Sequence, residues 1–358
     1  MIKKGKYIYV LAPANTSTGG PEALHQLAYT IKNNTKYNNN VFMYYGKGSS
    51  KNSIHKNFVK YNLPVANEII DHSKNLIIVS ELYTDISFLN NYNKIKKVIW
   101  WLSIDNYLLS FFKNNYSKLT ALFIKIPFKI IKIFNKLTFY TFGDYTFFDY
   151  LKFLFNKKNF LNKFQFKDIK YHFHQSDYAK EILSDNGYKS YQISDYLNDS
   201  FLKKKYFFKK KDLITYNPIK CTDFLKFIIK KYPYLKFIPL VGLSRAEMIK
   251  ILKKSKIYID FGNHPGKDRI PREAAILGNC VLVNKNGSAS NASDIEISNC
   301  YKFNEKKDNI KNIISLINIC IEDYDIEYKK FKPYVIKIRN EKKLFIRQVK
   351  DFFKHKYK

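Results

Sequence analysis

Residues 257–288 read IYIDFGNHPGKDRIPREAAILGNCVLVNKNGS, and this stretch decides the fold. Its first three residues are β-branched or aromatic and predict a short buried strand. A polar loop over 264–269 follows, and Pro271 favours a helix start because the first helical turn does not need its N–H. Gly-Asn at 278–279 predicts the C-cap of that helix, and residues 280–283 predict a second buried strand.

This order of strand, loop, helix and strand predicts a βαβ unit with a charged loop at the carboxyl end of its first strand. Ligands of open α/β sheets bind at that edge. The N-terminus of the following helix can hold an anion. The stretch therefore predicts a site for an anionic ligand.

The same stretch resembles the donor-binding signature of GT-B-fold glycosyltransferases, of the family-4-like type that builds bacterial polysaccharides and glycolipids. The resemblance rests on the polar loop, the Pro-x-Glu-Ala-Ala helix, the Gly-Asn turn and the Cys-Val-Leu-Val strand. In that family the helix glutamate binds the ribose of a nucleotide-sugar, which implies this role for Glu273. Many members carry another glutamate at the donor sugar, but Pro265 stands at that position here. The candidates to replace it are His264, Lys267, Asp268 and Arg269.

Composition sets the broad class of protein. The chain has 358 residues and 46% hydrophobic content, which suits two domains with real cores. Its formal charge of +33 favours anionic partners such as phospholipid, nucleic acid or nucleotide phosphate, although an AT-rich genome also produces lysine-rich chains. Four cysteines without CxxC spacing predict reduced thiols in the cytosol. We expect neither a secretory signal nor a spanning helix, because no apolar run is long enough.

The N-terminal segment predicts the opening of a nucleotide-type α/β domain. A strand over 7–12 leads through a small-residue loop to a helix opened by Pro21. The loop has neither the glycine spacing of dinucleotide binders nor the Gly-Lys-Ser/Thr of a P-loop. In GT-B enzymes a Gly-Gly turn here approaches donor phosphate or acceptor, which the resemblance implies for Gly19 and Gly20. A plain tight turn is the alternative.

Two carboxylates follow predicted strands of this domain. Glu81 and Asp105 come after strands over 76–79 and 98–102, at the edge where catalytic carboxylates of α/β folds cluster. An inverting reaction needs a base, for which Asp105 is the first candidate and Glu81 or Glu22 the alternates. A retaining reaction needs no such base, and the alternative role for each carboxylate is a helix N-cap or loop anion.

Residues 107–166 predict a basic, aromatic helical insertion in the N-terminal domain. No acidic residue lies between Asp105 and Asp144, and lysines alternate with Phe, Ile and Leu. This pattern is typical of an amphipathic segment lying in the plane of a membrane, and we expect residues 108–140 to dock on an anionic leaflet. A helical subdomain packed on itself is the alternative.

The C-terminal domain supplies the remaining donor-site candidates. Lys220 follows its first predicted strand, where the resemblance implies a phosphate-binding Lys or Arg. Arg245, Lys267 and Arg269 are further phosphate candidates. The Asp-x-Asp at 323–325 does not follow a strand, so we predict no metal site.

Together these patterns predict an α/β protein of two Rossmann-like domains with the GT-B plan. We expect an acceptor domain over 1–198 with the insertion at 107–166, a nucleotide-sugar-binding domain over 199–325, and a helical tail over 326–358 that crosses back. The predicted activity is metal-independent transfer of a sugar, with the nucleotide-sugar as donor substrate and no further cofactor. The acceptor is expected to be lipid-linked or a surface polysaccharide at the cytoplasmic face of a bacterial membrane.

Three other functions compete with this one. The charge of +33 and 17% aromatic residues are also found in nucleic-acid-binding proteins, but the lysines here are spread throughout the chain, and no nucleic-acid partner is expected. A non-catalytic, membrane-attached scaffold would share the basic segment. A GT-B-fold sugar-nucleotide epimerase would share the donor site without needing that segment.

Overall fold

The computed structural model describes residues 6–138, 147–154, 161, 166, 168–202 and 209–357. The chain divides into two compact units. The first comprises Met1–Asn115, Phe155–Tyr196 and Glu341–Lys358, and the second comprises Tyr116–Leu154 and Leu197–Asn340. Each unit is a parallel sheet with helices, so the predicted α/β class with two Rossmann-like domains is confirmed.

The elements alternate along the chain as the sequence predicts. The first part contains β1 (Ile8–Leu11), α1 (Gly19–Asn34), β2 (Val41–Tyr44), β3 (Leu76–Ser80), α2 (Tyr83–Phe88), β4 (Lys96–Trp101), α3 (Ile104–Asn115), α4 (Lys118–Leu137), α5 (Phe147–Leu154), β5 (Ile169–His174), α6 (Asp177–Asp185), β6 (Ser190–Gln192) and α7 (Asp199–Leu202). The second part contains β7 (Lys211–Tyr216), α8 (Asp223–Lys231), β8 (Lys236–Pro239), α9 (Arg245–Lys254), β9 (Ser255–Asp260), α10 (Arg269–Ile276), β10 (Cys280–Asn284), β11 (Lys302–Phe303), α11 (Ile310–Glu322), α12 (Tyr324–Lys329) and α13 (Lys332–His355).

Both sheets are parallel and share one strand order. The first runs β2-β1-β3-β4-β5-β6, and the second runs β11-β10-β9-β7-β8. In each, the first strand of the unit lies between the second and the third. Inner strands such as β3 (LIIVS) and β10 (CVLVN) are apolar except at the last residue and are buried along their whole length. Such continuous burial is expected of parallel strands covered by helices on both faces.

The stretch over 257–288 forms the central crossover of the second sheet. Strands β9 and β10 pair in parallel, with Ile257 opposite Cys280. Helix α10 between them begins at Arg269, so the predicted start at Pro271 is wrong by two residues. Proline is tolerated there because N–H groups in the first turn have no intrahelical acceptor. Gly278 ends the helix with a φ of +91°, and the Asn279 amide bonds back to the Ala274 carbonyl at 3.0 Å.

The predicted insertion over 107–166 is divided between the units. Helix α3 belongs to the first unit, whereas α4 and α5 group with the second. One contact of α4 within the second unit is ionic, since Lys132 and Lys136 lie 2.9 and 3.2 Å from Asp223 Oδ2. Parts of the predicted insertion, 139–146, 155–160, 162–165 and 167, lie outside the described residues, as do residues 203–208. Among the described residues, no helix is both long and apolar enough to cross a membrane.

Helix α13 ends the chain and takes part in both units. Its first half contributes Tyr334 and Ile338 to the core of the second unit. Its second half contributes Phe345 and Phe352 to the core of the first. The tail predicted over 326–358 therefore has its last residues, Glu341–Lys358, in the first unit.

Candidate functional site

The second sheet reverses its strand order between β7 and β9. These two strands are hydrogen-bonded neighbours, with β8 outside one of them and β10 outside the other. The loop over 217–222 leaves β7, and the loop over 261–268 leaves β9, both at the carboxyl edge. Ligands of doubly wound sheets bind at this reversal because the two loops diverge and leave a crevice.

Asp268 and Lys220 join these two loops. Lys220 Nζ lies 2.8 Å from both Asp268 Oδ1 and Asp268 Oδ2. Burial alone would lower the pKa of Lys220, but Asp268 and Asp260 outweigh burial and hold it above its usual range. Burial alone would raise the pKa of Asp268, but Lys220 and His264 outweigh it and hold that pKa well below its usual range. The pair is therefore ionic across neutral pH.

His264 is the second cation in contact with Asp268. Its side chain has no exposed surface, its Nδ1 lies 2.8 Å from Asp268 Oδ2, and its Nε2 lies 3.2 Å from the Asp260 carbonyl oxygen. The Asp260 carbonyl oxygen can only accept, so Nε2 carries a hydrogen. The Nδ1 contact with Asp268 is an ion-pair distance without hydrogen-bond geometry, and an unprotonated Nδ1 would repel the carboxylate. Burial would lower the pKa of His264, but Asp260 and Asp268 outweigh burial and raise it. Together these contacts favour a buried imidazolium.

Asp260 is the last residue of β9 and lies next to His264. Its Oδ2 accepts a 2.7 Å hydrogen bond from the Tyr258 hydroxyl. Burial raises the pKa of Asp260 above its usual range, against the opposing charges of His264 and Lys220. The cluster therefore sets two cations, Lys220 and His264, against two carboxylates, Asp260 and Asp268, of which Asp268 is the firmer anion.

Two glycines let the loops approach one another. A Cβ on Gly262 would lie 2.5 Å from the Lys220 carbonyl oxygen, and a Cβ on Gly287 would lie 2.1 Å from the His264 carbonyl oxygen. Gly287 also has a φ of +56°, which side-chain-bearing residues rarely adopt. The backbone N–H of Ser288 donates to the His264 carbonyl at 2.9 Å. At both positions a larger residue would clash with a neighbouring backbone carbonyl, so packing requires glycine there.

Helix α10 begins at this cluster. Asp268 is its N-cap residue, yet its side chain makes no cap hydrogen bond, because it is turned to Lys220 and His264. The buried Arg272 side chain instead donates to the backbone carbonyls of Asp268 and Lys267, at 3.1 and 3.0 Å. Glu273 follows, also buried. The N-terminal end of a helix is in general a favourable place for an anion.

A second polar network at the same edge was missed in the sequence. Glu305, just after β11, accepts hydrogen bonds from Thr222 Oγ1 at 2.5 Å and from the Asn284 side-chain amide. Asn284 also donates to the Gly262 carbonyl at 2.8 Å. The only sequence signal was that each polar residue lies next to a strand end. The network fixes the loops after β7, β9, β10 and β11 relative to one another.

The other donor-site candidates take different positions. Lys267 is buried just before Asp268, and Arg269, partly exposed, is the first residue of α10. Arg245 is the first residue of α9 and follows β8. The structure thus brings Lys220, His264 and Asp268 into direct contact and places Arg245, Lys267, Arg269 and Glu273 on the surrounding loops and helices.

The predicted residues of the first unit lie at the carboxyl edge of its own sheet. Gly19 and Gly20 open α1, and a Cβ on Gly20 would meet Leu102 Cδ1 at an ordinary 3.9 Å, so packing does not require that glycine. Asp105, in the first turn of α3, accepts a 2.9 Å hydrogen bond from the Tyr178 hydroxyl. Glu81 is buried and accepts from the Leu102 amide at 3.1 Å, and burial raises its pKa to about 8.

One group in the part of the chain that the structure describes offers metal-ligand atoms. Asp260, His264 and Asp268 each present one such atom within 4.8 Å of the others. The Lys220 ammonium already lies between the two oxygens of Asp268, and both ring nitrogens of His264 already lie against oxygen atoms. A divalent ion would have to displace these contacts, so the residues fit a lysine-neutralised carboxylate better than a metal centre.

Several solved structures are similar in fold to this chain over nearly its whole length. HepE of Anabaena, in complex with UDP and glucose, gives a TM-score of 0.56 at 11% identity, covering 98% of this chain and 100% of that one. HepE with UDP-glucose gives 0.54 at 12% identity, covering 96% and 98%. The trehalose-6-phosphate synthase OtsA gives 0.52 at 9% identity, covering 96% and 99%. The chain therefore has the GT-B fold. No protein-family model and no curated protein matches the sequence.

Proposed function

We propose that this protein is a glycosyltransferase that binds a nucleotide-sugar at the carboxyl edge of its second sheet. The observation that carries the proposal is the pair of cations, the partly exposed Lys220 and the buried His264, held on Asp268 beside the N-terminus of α10. Transfer of a sugar from a nucleotide donor releases a diphosphate, whose negative charge must be stabilised. Fixed cations provide that stabilisation without reorganisation during the reaction.

The solved relatives support a uridine nucleotide as the first donor to test. HepE structures contain UDP and UDP-glucose. In our proposal Lys220 contacts the diphosphate, aided by Arg245, Lys267 and Arg269, and Glu273 accepts hydrogen bonds from the ribose hydroxyls. Gly19 and Gly20 of the first unit let backbone approach the donor or the acceptor. These roles follow the resemblance and the placement of each residue at a strand's carboxyl end.

We further propose that transfer needs no metal ion. The support is the Lys220 ammonium, 2.8 Å from both oxygens of Asp268, which takes the place that a divalent cation would need. Chelator should leave activity unchanged, and added Mg²⁺ should not raise it. Loss of activity with EDTA, restored by one metal, would contradict this part of the proposal.

Asp105 is the base that we propose for an inverting reaction. A base must be unprotonated at the working pH. Burial raises the pKa of Glu81 to about 8, so Glu81 holds its proton at neutral pH and is poorly suited to accept another. Asp105 accepts a hydrogen bond from the Tyr178 hydroxyl, which fixes the orientation of its carboxylate.

The proposed acceptor is a lipid-linked sugar or a surface polysaccharide at the inner face of a bacterial membrane. The support is the excess of positive charge, +33 for the whole chain, and the acid-free segment between Asp105 and Asp144. Anionic leaflets attract such segments. The protein would then meet its acceptor as a peripheral membrane protein.

A thermal-shift screen of nucleotides and nucleotide-sugars tests the donor site directly. A ligand that binds only the folded state raises the melting temperature, and we expect this from a nucleoside diphosphate and its sugar but not from the free sugar. Glu273→Ala should weaken binding of the best nucleotide by about 1.5–3 kcal/mol, as for a hydrogen bond to a charged group. The exposed Glu322→Ala is the matched control. Equal nucleotide affinity in folded Glu273→Ala and wild-type protein would remove Glu273 from the site.

A further inference from the structure

Helix α4 packs a partly polar side on the protein and exposes its apolar side, which is the reverse of an ordinary surface helix. Asn135 is its most buried described side chain, and Ile124, Phe128 and Lys132 are half-buried. Their spacings of four, four and three residues place them on one stripe of the helix. A surface helix normally packs its apolar stripe inward. This helix instead packs a mixed stripe, with an asparagine and a lysine, on the second unit.

The apolar side chains of α4 face outward. Those that are between 43% and 73% exposed are Leu122, Phe123, Ile126, Ile130, Ile131, Ile133, Phe134 and Leu137. At 3.6 residues per turn most of them fall on one face, centred on Ile126, Ile130 and Leu137. Contiguous exposed patches of this kind mark interaction surfaces. We call these eight side chains the outer face of α4.

Helix α5 extends the outer face. Its Phe153 and Leu154 are exposed. Its Tyr150 is buried, with its ring centroid 5.8 Å from that of Phe128 on the packed stripe of α4. The two helices therefore support one another on their inner sides and present apolar side chains on their outer sides.

Lysines line one edge of the outer face. Lys125, Lys129 and Lys136 are exposed and fall between the outer face and the packed stripe when the helix is viewed along its axis. No acidic residue occurs in α4, in the twelve residues before it or in the six residues after it. The edge is therefore purely cationic.

Asp223 holds α4 in this orientation. Lys132 and Lys136 on one side and Lys226 on the other all lie within 3.2 Å of its carboxylate. Partial burial would raise the pKa of Asp223, but the bonds from these lysines outweigh it and hold the pKa far below its usual range. The carboxylate stays ionised at any physiological pH, so the anchor does not loosen in mild acid.

We propose that the outer face of α4, extended by Phe153 and Leu154, docks the second unit in the plane of an anionic lipid bilayer. Phe, Ile and Leu would enter the boundary between headgroups and acyl chains, and Lys125 and Lys129 would reach the phosphates. A second copy of the chain is a poorer occupant, because pairing two outer faces would bring two rows of lysines together without any acidic residue between them. The docking concerns the unit that carries the Lys220 site, and it does not depend on sugar transfer.

Co-sedimentation of the full chain with vesicles, without nucleotide, tests the docking. We expect binding to vesicles of phosphatidylcholine and phosphatidylglycerol in a 7:3 ratio, and weaker binding to phosphatidylcholine alone. Raising the salt should reduce the difference between the two, because surface charges are screened. Lys125→Gln combined with Lys129→Gln should lower the partition constant on anionic vesicles about tenfold or more. Exposed Lys311→Gln with Lys343→Gln is the matched control.

A triple apolar variant tests the outer face itself. Phe123→Ser, Ile130→Ser and Ile133→Ser, at positions 68%, 62% and 58% exposed, should lose most binding to both kinds of vesicle. The matched control changes Val59, Ile326 and Ile336 to Ser, at positions 60%, 61% and 60% exposed elsewhere on the chain, and should bind as wild type does.

Two outcomes would overturn the proposal. One is equal vesicle binding by the apolar triple variant and its control. The other is absence of wild-type binding to vesicles together with self-association that the triple variant abolishes, as seen by sedimentation velocity, which would assign the outer face to contacts between copies. Because no step uses a nucleotide, neither outcome bears on the donor site.

Discussion

At the scale of single residues, the Lys220–Asp268–His264 cluster shows how a buried charge is made stable. An isolated imidazolium in a site without solvent would lose several kcal/mol of hydration and would release its proton. His264 keeps its proton because both ring nitrogens have acceptors, one of them a carboxylate that Lys220 keeps ionised. The three side chains therefore depend on one another, and the loss of Asp268 should change the protonation of His264.

This dependence predicts an unusual NMR signal. An ordinary histidine is neutral at pH 8, and burial lowers the pKa values of His25, His172 and His174 to about 4. An imidazolium with both nitrogens protonated at pH 8 should therefore come from His264. We expect that ¹⁵N signal in wild-type protein and in the exposed control Asp325→Asn, and its loss in Asp268→Asn. A neutral His264 in the wild type would show that the cluster is wrongly described.

Glu81 predicts a pH dependence of stability. Burial raises its pKa to about 8 in the folded protein, whereas an unfolded glutamate has a pKa near 4.3. Between these values the folded state holds a proton that the unfolded state has released, so stability falls as pH rises, by at most about 1.4 kcal/mol per unit. A glutamine at position 81 does not titrate, so the Glu81→Gln variant lacks this pH dependence.

Urea unfolding at intervals between pH 5 and pH 8 measures the effect. The free energy of unfolding of wild type minus that of Glu81→Gln should decline as pH rises. For the exposed Glu68→Gln the corresponding difference should stay flat. Parallel pH profiles for wild type and Glu81→Gln would show that Glu81 is ionised in the fold.

Sequence alone could place Lys220, His264 and Asp268 at the site, because each follows a predicted strand near a helix start. It could not predict that Asp268 would leave its own helix uncapped to bind Lys220 from another loop. Whether Asp268 binds Lys220 depends on the distance in space between two loops that β8, α9 and β9 separate in sequence. Glu305 was missed for the same reason, since its partners Thr222 and Asn284 are remote in sequence.

At the scale of elements, α4 shows what an amphipathic pattern can and cannot predict. The regular alternation of Lys with Phe and Ile predicts a helix with two unlike sides. It does not predict which side faces the protein, because that depends on a partner elsewhere in the chain. Here the partner is Asp223, which binds Lys132 and Lys136 and so draws the lysine-bearing side toward α8.

Removing that partner should loosen α4 selectively. Asp223→Asn keeps the shape of the side chain but deprives the two lysines of their counter-ion, and charge-assisted hydrogen bonds of this kind contribute on the order of 1–2 kcal/mol. We expect amide exchange over 118–137 to become about tenfold faster, with β7, β9 and β10 unchanged. The exposed Asp308→Asn should behave as wild type does. Unchanged exchange in α4 would show that other contacts hold it.

At the scale of the whole molecule, two sheets with the same strand order are built from one chain. The sequence predicts this plan because strand and helix patterns alternate twice, and continuous apolar strands favour parallel sheets. The sequence does not predict in the same way which segments of the chain belong to which unit. Residues 116–154 precede β5 in the chain yet group with the second unit, and residues 341–358 follow that unit yet group with the first. Both depend on contacts between residues far apart in sequence.

The tail provides the last prediction. The side chains of Phe345, Val349 and Phe352 are buried in the core of the first unit, and Gln348 Oε1 accepts hydrogen bonds from the Ser194 N–H and hydroxyl at 2.9 and 2.8 Å. Phe352 also lies against other rings, with its centroid 4.6 Å from that of Phe173. Removal of such a ring from a packed core costs about 3–5 kcal/mol, a large part of the stability of an ordinary domain. Phe352→Ala should therefore destabilise the first unit.

Ile336→Ala, on the exposed side of the same helix, is the matched control and should change stability by no more than about 0.5 kcal/mol. Hydrogen exchange distinguishes a local effect from a global one, because each unit has its own core. In Phe352→Ala we expect faster exchange in β1, β3 and β4 and wild-type protection in β7, β9 and β10, with nucleotide affinity retained. Equal loss of protection in both sheets would mean that the two units unfold as one, and the donor site would then depend on the tail as much as the first unit does.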